Sequence, residues 1–239
     1  MRIPLVNWVA VWIQFIPLGI ALWRRQWLTG ARLGVALWLV LLLLSDFSAY
    51  SWTWILRRGN NLWISHTFLP VQSIAVLWAI SRWQVRPLLR STLQYCIPLL
   101  LVWWIVSIVF FEDVESFSRV GAPVYFLLAL AAAMLTLATR ARRTEDPLLE
   151  QDWLWLLAGL AIFFATNAST SIVQAAAIAV EDYDLAVRAS KLKASIDIVA
   201  FLLLAGGFLW APRQTSSGVS SSPAPSPSSS SSSPSWRRS

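Results

Sequence analysis

Asp46 stands near the middle of an apolar stretch, and Tyr50 and Thr53 follow it at i+4 and i+7, the spacing of one helix face. A carboxylate at that depth has no lipid headgroup within reach, and a charge in hydrocarbon costs roughly 2.5 to 3.5 kcal/mol by insertion scales. It must carry a proton or meet a donor, with Tyr50, His66 or a water as the candidates. A second set, Asn167, Thr170, Ser171 and Gln174, follows i, i+3, i+4, i+7 and forms a polar stripe along one helix. His66, Gln72 and Ser73 lie together on another apolar stretch, Asn7 and Gln14 are seven residues apart on the first, and Asp197 lies on the last. Such residues can do two kinds of chemistry. Carboxylates and an imidazole can move protons, and amides and hydroxyls can hold a ligand by hydrogen bonds.

Seven apolar stretches carry these residues: 3 to 23, 33 to 56, 62 to 82, 92 to 111, 121 to 139, 153 to 180 and 194 to 210. Crossing about 30 Å of hydrocarbon takes about 20 helical residues, so each is long enough to span a bilayer. The expected fold class is all-α, a polytopic membrane protein built as a seven-transmembrane-helix bundle. The composition agrees, with 57% hydrophobic and only 13% charged residues. The first stretch is too long for a signal-peptide core and runs into Trp23, Arg24 and Arg25 rather than a cleavage site, so it reads as a retained helix. The membrane domain is expected over 1–212. Residues 213–239 are rich in Ser and Pro, have nothing to bury and read as a disordered tail.

In each of spans one, two, three, six and seven the polar residues fall in the same half of the membrane, whereas the other halves are nearly pure Leu, Ile, Val, Ala and Trp. This predicts one polar cavity between those five spans, in the extracytoplasmic half of the bundle, closed below and open to the extracytoplasmic side. Its candidate lining is Asp46, Tyr50, His66, Gln72, Asn167, Ser171, Gln174, Asn7, Gln14 and Asp197. Spans four and five, poorer in such groups, read as packing or lipid-facing helices. Each residue also has a plainer use. Amide and hydroxyl stripes join membrane helices through bonds worth about 0.6 kcal/mol on average, and Asp197 can pair with Lys193 at i, i+4. Pro17, Pro70 and Pro98 free the carbonyls of Ile13, His66 and Gln94, four residues back, if those turns are helical.

Other chemistries are excluded by the residue inventory. One histidine, one cysteine and scattered carboxylates do not make a zinc set or a bis-histidine haem. No phosphate-cradling glycine loop and no G-x-S-x-G elbow is present. Lys191 and Lys193 fall outside the stretch assigned to span seven, which argues against a retinal Schiff base. No cofactor and no metal is implied. Cys96, being alone, forms no internal disulfide.

The net charge of +7 comes from arginines at span ends, so nucleic acid is not an expected partner. Twelve of the Lys and Arg residues fall on the side of the 24–32, 82–90 and 140–143 connections and of the tail, against seven on the other side. This bias predicts an outside amino terminus and a cytoplasmic carboxyl terminus in a multi-pass cell-membrane protein. Trp23, Trp27, Trp78, Trp83, Trp153, Trp155 and Trp210 cluster near one border and Trp52, Trp54 and Trp63 near the other, as an interfacial belt does. The turn Arg57, Arg58, Gly59, Asn60, Asn61 makes spans two and three antiparallel neighbours.

Two functional readings follow. In the first, a small or amphiphilic ligand enters the polar cavity, contacts Asp46, His66, Asn167 and Gln174, and shifts the kinked helices. With short loops and no output domain, a sensory or accessory role of this kind requires a membrane partner subunit besides the lipid bilayer. In the second, Asp46 donates a proton to a hydrophobic lipid or isoprenoid substrate while His66 or Asp197 accepts one. One acid on span two and another on span seven is similar in layout to membrane-bound terpene cyclases, with no local motif in common and no residue role carried over. A proton-coupled carrier is a third reading, weakened by the lack of an internal repeat.

Overall fold

The computed structural model describes residues 5–56, 60–112, 118, 120–145 and 147–210. The Ser/Pro tail from 213 to 239, the Arg57, Arg58, Gly59 part of the turn, and Arg2 and Arg119 lie outside the described residues. Among those described, no strand occurs and seven helical segments are long and apolar enough to cross a membrane. The first is α1 (Leu5–Ile13) followed by α2 (Phe15–Trp23). The others are α3 (Gly30–Tyr50), extended by a π-helical turn at Ser51–Ile55, α4 (Leu62–Trp83), α5 (Pro87–Phe110), α6 (Gly121–Ala141), α7 (Asp152–Ala179) and α8 (Tyr183–Trp210). The first span breaks at Gln14, where Pro17 has no N–H to offer the Ile13 carbonyl.

Two spans begin earlier than hydropathy predicts. Arg86 and Pro87 open α5, with proline in the first turn, where its missing N–H costs nothing. At α8, Asp182 accepts a hydrogen bond from the Leu185 N–H at 2.9 Å and caps a helix that starts at Tyr183 rather than 194. The stretch 183–193 is charged, which ends a hydropathy window, but it is composed largely of good helix formers, which extends the helix. Lys191 and Lys193 therefore lie inside the last span, and the helix-boundary argument against a Schiff base does not stand.

The helices close into a ring. α7 packs along α8, α6 on α7, α3 on α4 and α2 against both α3 and α8, while α4 touches α5 and α6. Gly159 and Gly207 allow the α7–α8 approach: a Cβ at Gly159 would sit 2.9 Å from the Ala200 carbonyl oxygen, and one at Gly207 would sit 2.5 Å from Leu156 Cγ. α5 turns Tyr95, Leu99, Val102, Ile105 and Val109 outward, as a lipid-facing helix does. The centre of the ring is aromatic. Trp38 meets Phe163 edge-on at 5.0 Å, Tyr125 meets Phe164 edge-on at 5.6 Å, and Phe201 packs against Phe163. This plug divides the bundle into an Asp46 end and an Arg32 end.

Candidate functional site

Above the aromatic plug, five helices surround a cavity of about 250 Å³. Asp46 comes from α3, His66 and Gln72 from α4, Ala122 and Phe126 from α6, Asn167, Ser171 and Gln174 from α7, and Lys193 from α8. Period 3.6 is what aligns the α7 stripe with one wall. Several of these groups are already committed to the backbone. Asn167 Nδ2 donates to the Phe163 carbonyl at 2.8 Å, Ser171 Oγ donates to the Ala168 carbonyl at 2.9 Å, and Gln72 Nε2 reaches the Leu41 carbonyl at 3.5 Å. The Asn167 and Ser171 bonds temper the polarity of α7 within the helix itself, whereas the Gln72 bond ties α4 to α3.

Of the ten predicted lining residues, Asp46, His66, Gln72, Asn167, Ser171 and Gln174 meet in this cavity. The other four do not line it. Gln14 is buried behind Asp46 and donates through Nε2 to Asp46 Oδ2 at 2.8 Å, so it holds the wall from outside. Asn7 donates to Ser190 Oγ on α8 at 3.1 Å, fastening the first span to the last. Tyr50 stacks edge-on against Trp8 at 5.3 Å and, with Asn7, lines a different recess. Asp197 pairs with Lys193 at 2.5 Å and is buried behind it. The physical reason is packing: α1 and α2 lie against α8, so span one buttresses the cavity while α6 supplies the wall expected of it.

That second recess is an apolar groove of about 350 Å³ between α1 and α3, lined by Trp8, Val11, Trp12, Phe15, Leu43 and Phe47. Trp12, Phe15 and Phe47 are exposed along it. Asp46 borders both spaces, the polar cavity on one side and the groove on the other.

The bend at Pro70 is finished by a tryptophan. The His66 carbonyl, left without its helical N–H, accepts a hydrogen bond from Trp104 Nε1 on α5 at 3.1 Å. His66 itself is buried. At the mouth, Glu112 gathers the start of α6: it accepts from the Gly121 N–H at 2.9 Å, from the Val120 N–H, and from Ser118 Oγ at 3.0 Å and Ser107 Oγ at 3.2 Å. Ser118 also lines the cavity. Burial alone would raise the Glu112 carboxyl, yet the hydrogen bonds from Gly121, Val120, Ser118 and Ser107 outweigh it and hold the group below its ordinary value. Glu112 was not a sequence candidate; its position just before a helix rich in small residues is the only signal it leaves.

The Lys193 surroundings matter for the retinal question as well. Its amine is engaged by Asp197, and the cavity beside it carries Leu42, Leu69 and Phe126 as well as Ser, Asn, Gln and Asp side chains. Among the described residues no three His, Cys, Asp or Glu side chains lie together as a metal set.

Just beyond the predicted span ends, and on span five, the opposite end of the bundle carries polar contacts. Arg32 on α3 pairs with the buried Asp152 on α7, Gln84 donates to Thr136, and Arg140 Nε donates to the Trp83 carbonyl at 2.7 Å. Span ends thus carry a buried polar network that hydropathy assigns to the headgroup layer. No protein-family model matches the chain, and no curated protein and no solved structure matches it either.

Proposed function

We propose that the protein binds a small amphiphilic ligand at the Asp46 cavity, in a sensory or accessory role in the cell membrane. The observation that carries this reading is that Asp46 borders both the polar cavity and the apolar groove. Small-molecule sites commonly span about 300 to 1,000 Å³. The polar cavity, at about 250 Å³, suits a compact head, and the groove, at about 350 Å³ and lined by Trp8, Trp12 and Phe47, suits a short chain reaching it from the lipid side. Asp46, His66, Asn167 and Gln174 hold the head by hydrogen bonds. The amino terminus faces outward and the carboxyl terminus the cytoplasm in this reading, on the bias of Lys and Arg. A membrane partner subunit carries any signal onward.

The test is mass spectrometry of amphiphiles that copurify with the full chain. One species enriched on the wild type and reduced at least about tenfold on His66→Ala and Gln174→Leu, a loss of about 1.4 kcal/mol, supports the reading. Bulk lipid in equal amounts on all three contradicts it.

The placement of an imidazole and a carboxylate on one cavity also favours the enzyme reading, in which Asp46 protonates a hydrophobic substrate and His66 takes a proton. Asp197 is a poor acceptor beside its Lys193 partner. Asp46→Asn separates the two readings: an enzyme loses turnover of lipid or isoprenoid substrate, and a binder keeps most of its affinity.

A further inference from the structure

At the end of the bundle opposite Asp46, four guanidiniums from four helices converge on a cavity of about 380 Å³: Arg32 from α3, Arg82 from α4, Arg90 from α5 and Arg140 from α6. Arg32 and Asp46 are fourteen residues apart on α3, about 21 Å of helix, so this space is separate from the ligand cavity. A single carboxylate, Asp152, also lines it, buried and bound to Arg32 at 2.5 Å. Four positive charges against one negative leave an excess of three.

Three of the four arginines are held, Arg32 by its bond to Asp152 and Arg140 and the exposed Arg82 by their aromatic neighbours. Arg140 is fixed by the Trp83 carbonyl and lies 5.5 Å from the Trp153 ring, and Arg82 rests 5.1 Å from the Trp78 ring. Among the described residues neither Arg82 nor Arg90 makes a side-chain hydrogen bond or ion pair, so their forks are available. Retention of positive charge on one side of a membrane explains arginines at helix ends, but it does not require them to meet around a concavity. Arg142 and Arg143, exposed just beyond α6 and outside this cavity, are arginines of the ordinary kind. Planar guanidiniums match the oxygens of a phosphate bidentately, and basic pockets between transmembrane helices take anionic headgroups.

We infer that this cavity is an anion site for a phosphate group, carried by a lipid headgroup or free in solution. The experiment measures binding of a fluorescent dioctanoyl phosphatidic acid to the full chain in dodecyl maltoside at about 0.15 M salt, where surface charge is screened beyond about 8 Å. The expected result is saturable binding that Arg82→Gln/Arg90→Gln weakens at least about tenfold, as loss of charge-assisted hydrogen bonds does. Arg142→Gln/Arg143→Gln weakens it less than about twofold, as loss of exposed charge does. If the first double variant does not fold, Arg90→Gln alone carries the comparison, with an expected loss of about threefold. Displacement by millimolar inorganic phosphate assigns the site to free phosphate, and its failure assigns the site to a lipid headgroup. Equal loss in the two double variants, or no saturable binding by the wild type, overturns the inference.

Discussion

Gln14 Nε2 lies 2.8 Å from Asp46 Oδ2, and Gln14 occupies the break between α1 and α2. The interruption of the first span and the membrane-depth carboxylate therefore meet at one hydrogen bond. Pro17 leaves the Ile13 carbonyl without its helical N–H next to Gln14, whose amide is the donor that the carboxylate needs. Gln14 is buried and Asp46 is only half-buried, so the amide covers the carboxylate from behind and leaves its front to the cavity and the groove.

This pairing has a measurable consequence. Gln14→Leu leaves the carboxylate without its donor and should lower unfolding stability by about 1 to 3 kcal/mol. Asp46→Asn keeps an acceptor oxygen for Gln14 and should cost less than half as much. A double-mutant cycle on unfolding in detergent checks this, and a coupling energy near zero would show that the bond contributes nothing.

The Trp104 bond to His66 predicts a rescue. Trp104→Phe removes the donor and exposes an unpaired carbonyl, at a cost of about 1 to 3 kcal/mol. Pro70→Ala restores the N–H that the helix would supply to that carbonyl. The double variant should lose less than Trp104→Phe alone when both are measured by thermal unfolding; additive losses would mean that the bend serves something other than this carbonyl.

Close approach of α7 and α8 rests on absent side chains. Gly207→Val would drive a branched side chain into Leu156, and overpacking of this sort costs about 1 to 3 kcal/mol. Gly206→Ala, one residue away, meets nothing within 4 Å and should be neutral or mildly stabilising. Comparing the two by unfolding distinguishes helix packing from a general intolerance of substitution at this end of α8.

At the mouth, Glu112 makes the start of α6 sensitive to acid. Its carboxyl titrates below its ordinary value of 4.5, so the group contributes stability above that pH, and the contribution is lost as pH falls through the lowered value. Hydrogen exchange of the Val120 and Gly121 amides should accelerate in the wild type over that acid range, beyond the intrinsic pH dependence. In Glu112→Gln the extra acceleration should vanish, with protection already reduced at neutral pH.

The spans and six of the ten lining residues were legible because polar groups in hydrocarbon are costly, so Asp46, His66 and the Asn167 stripe stand out against their neighbours. Their shared wall follows from helix period and depth, both of which a sequence carries. Asn7 and Tyr50 share that depth, but which direction they face depends on the packing of a broken helix against α8, and no local pattern encodes it. Lys193 was placed outside a span because hydropathy stops at charge, whereas the Asp182 cap and the helix formers after it continue the turn. The arginine cavity was missed for a different reason. Each of Arg32, Arg82, Arg90 and Arg140 taken singly is an ordinary end-of-span anchor, and only tertiary structure brings them together.

The account rests on one space shared by side chains from α3, α4, α7 and α8. Cysteine accessibility measures it directly, because Cys96→Ser removes the chain's sole cysteine and gives a clean background. In native membranes, Ser171→Cys, Gln174→Cys and Gln72→Cys should react with a small charged methanethiosulfonate, and Leu160→Cys and Phe164→Cys, within the buried core, should not. Attaching a bulky reagent at Ser171 should then protect Gln72→Cys across the cavity. Unreactive cysteines at all three lining positions, or reaction at Gln72 undisturbed by a group at Ser171, would contradict a common cavity.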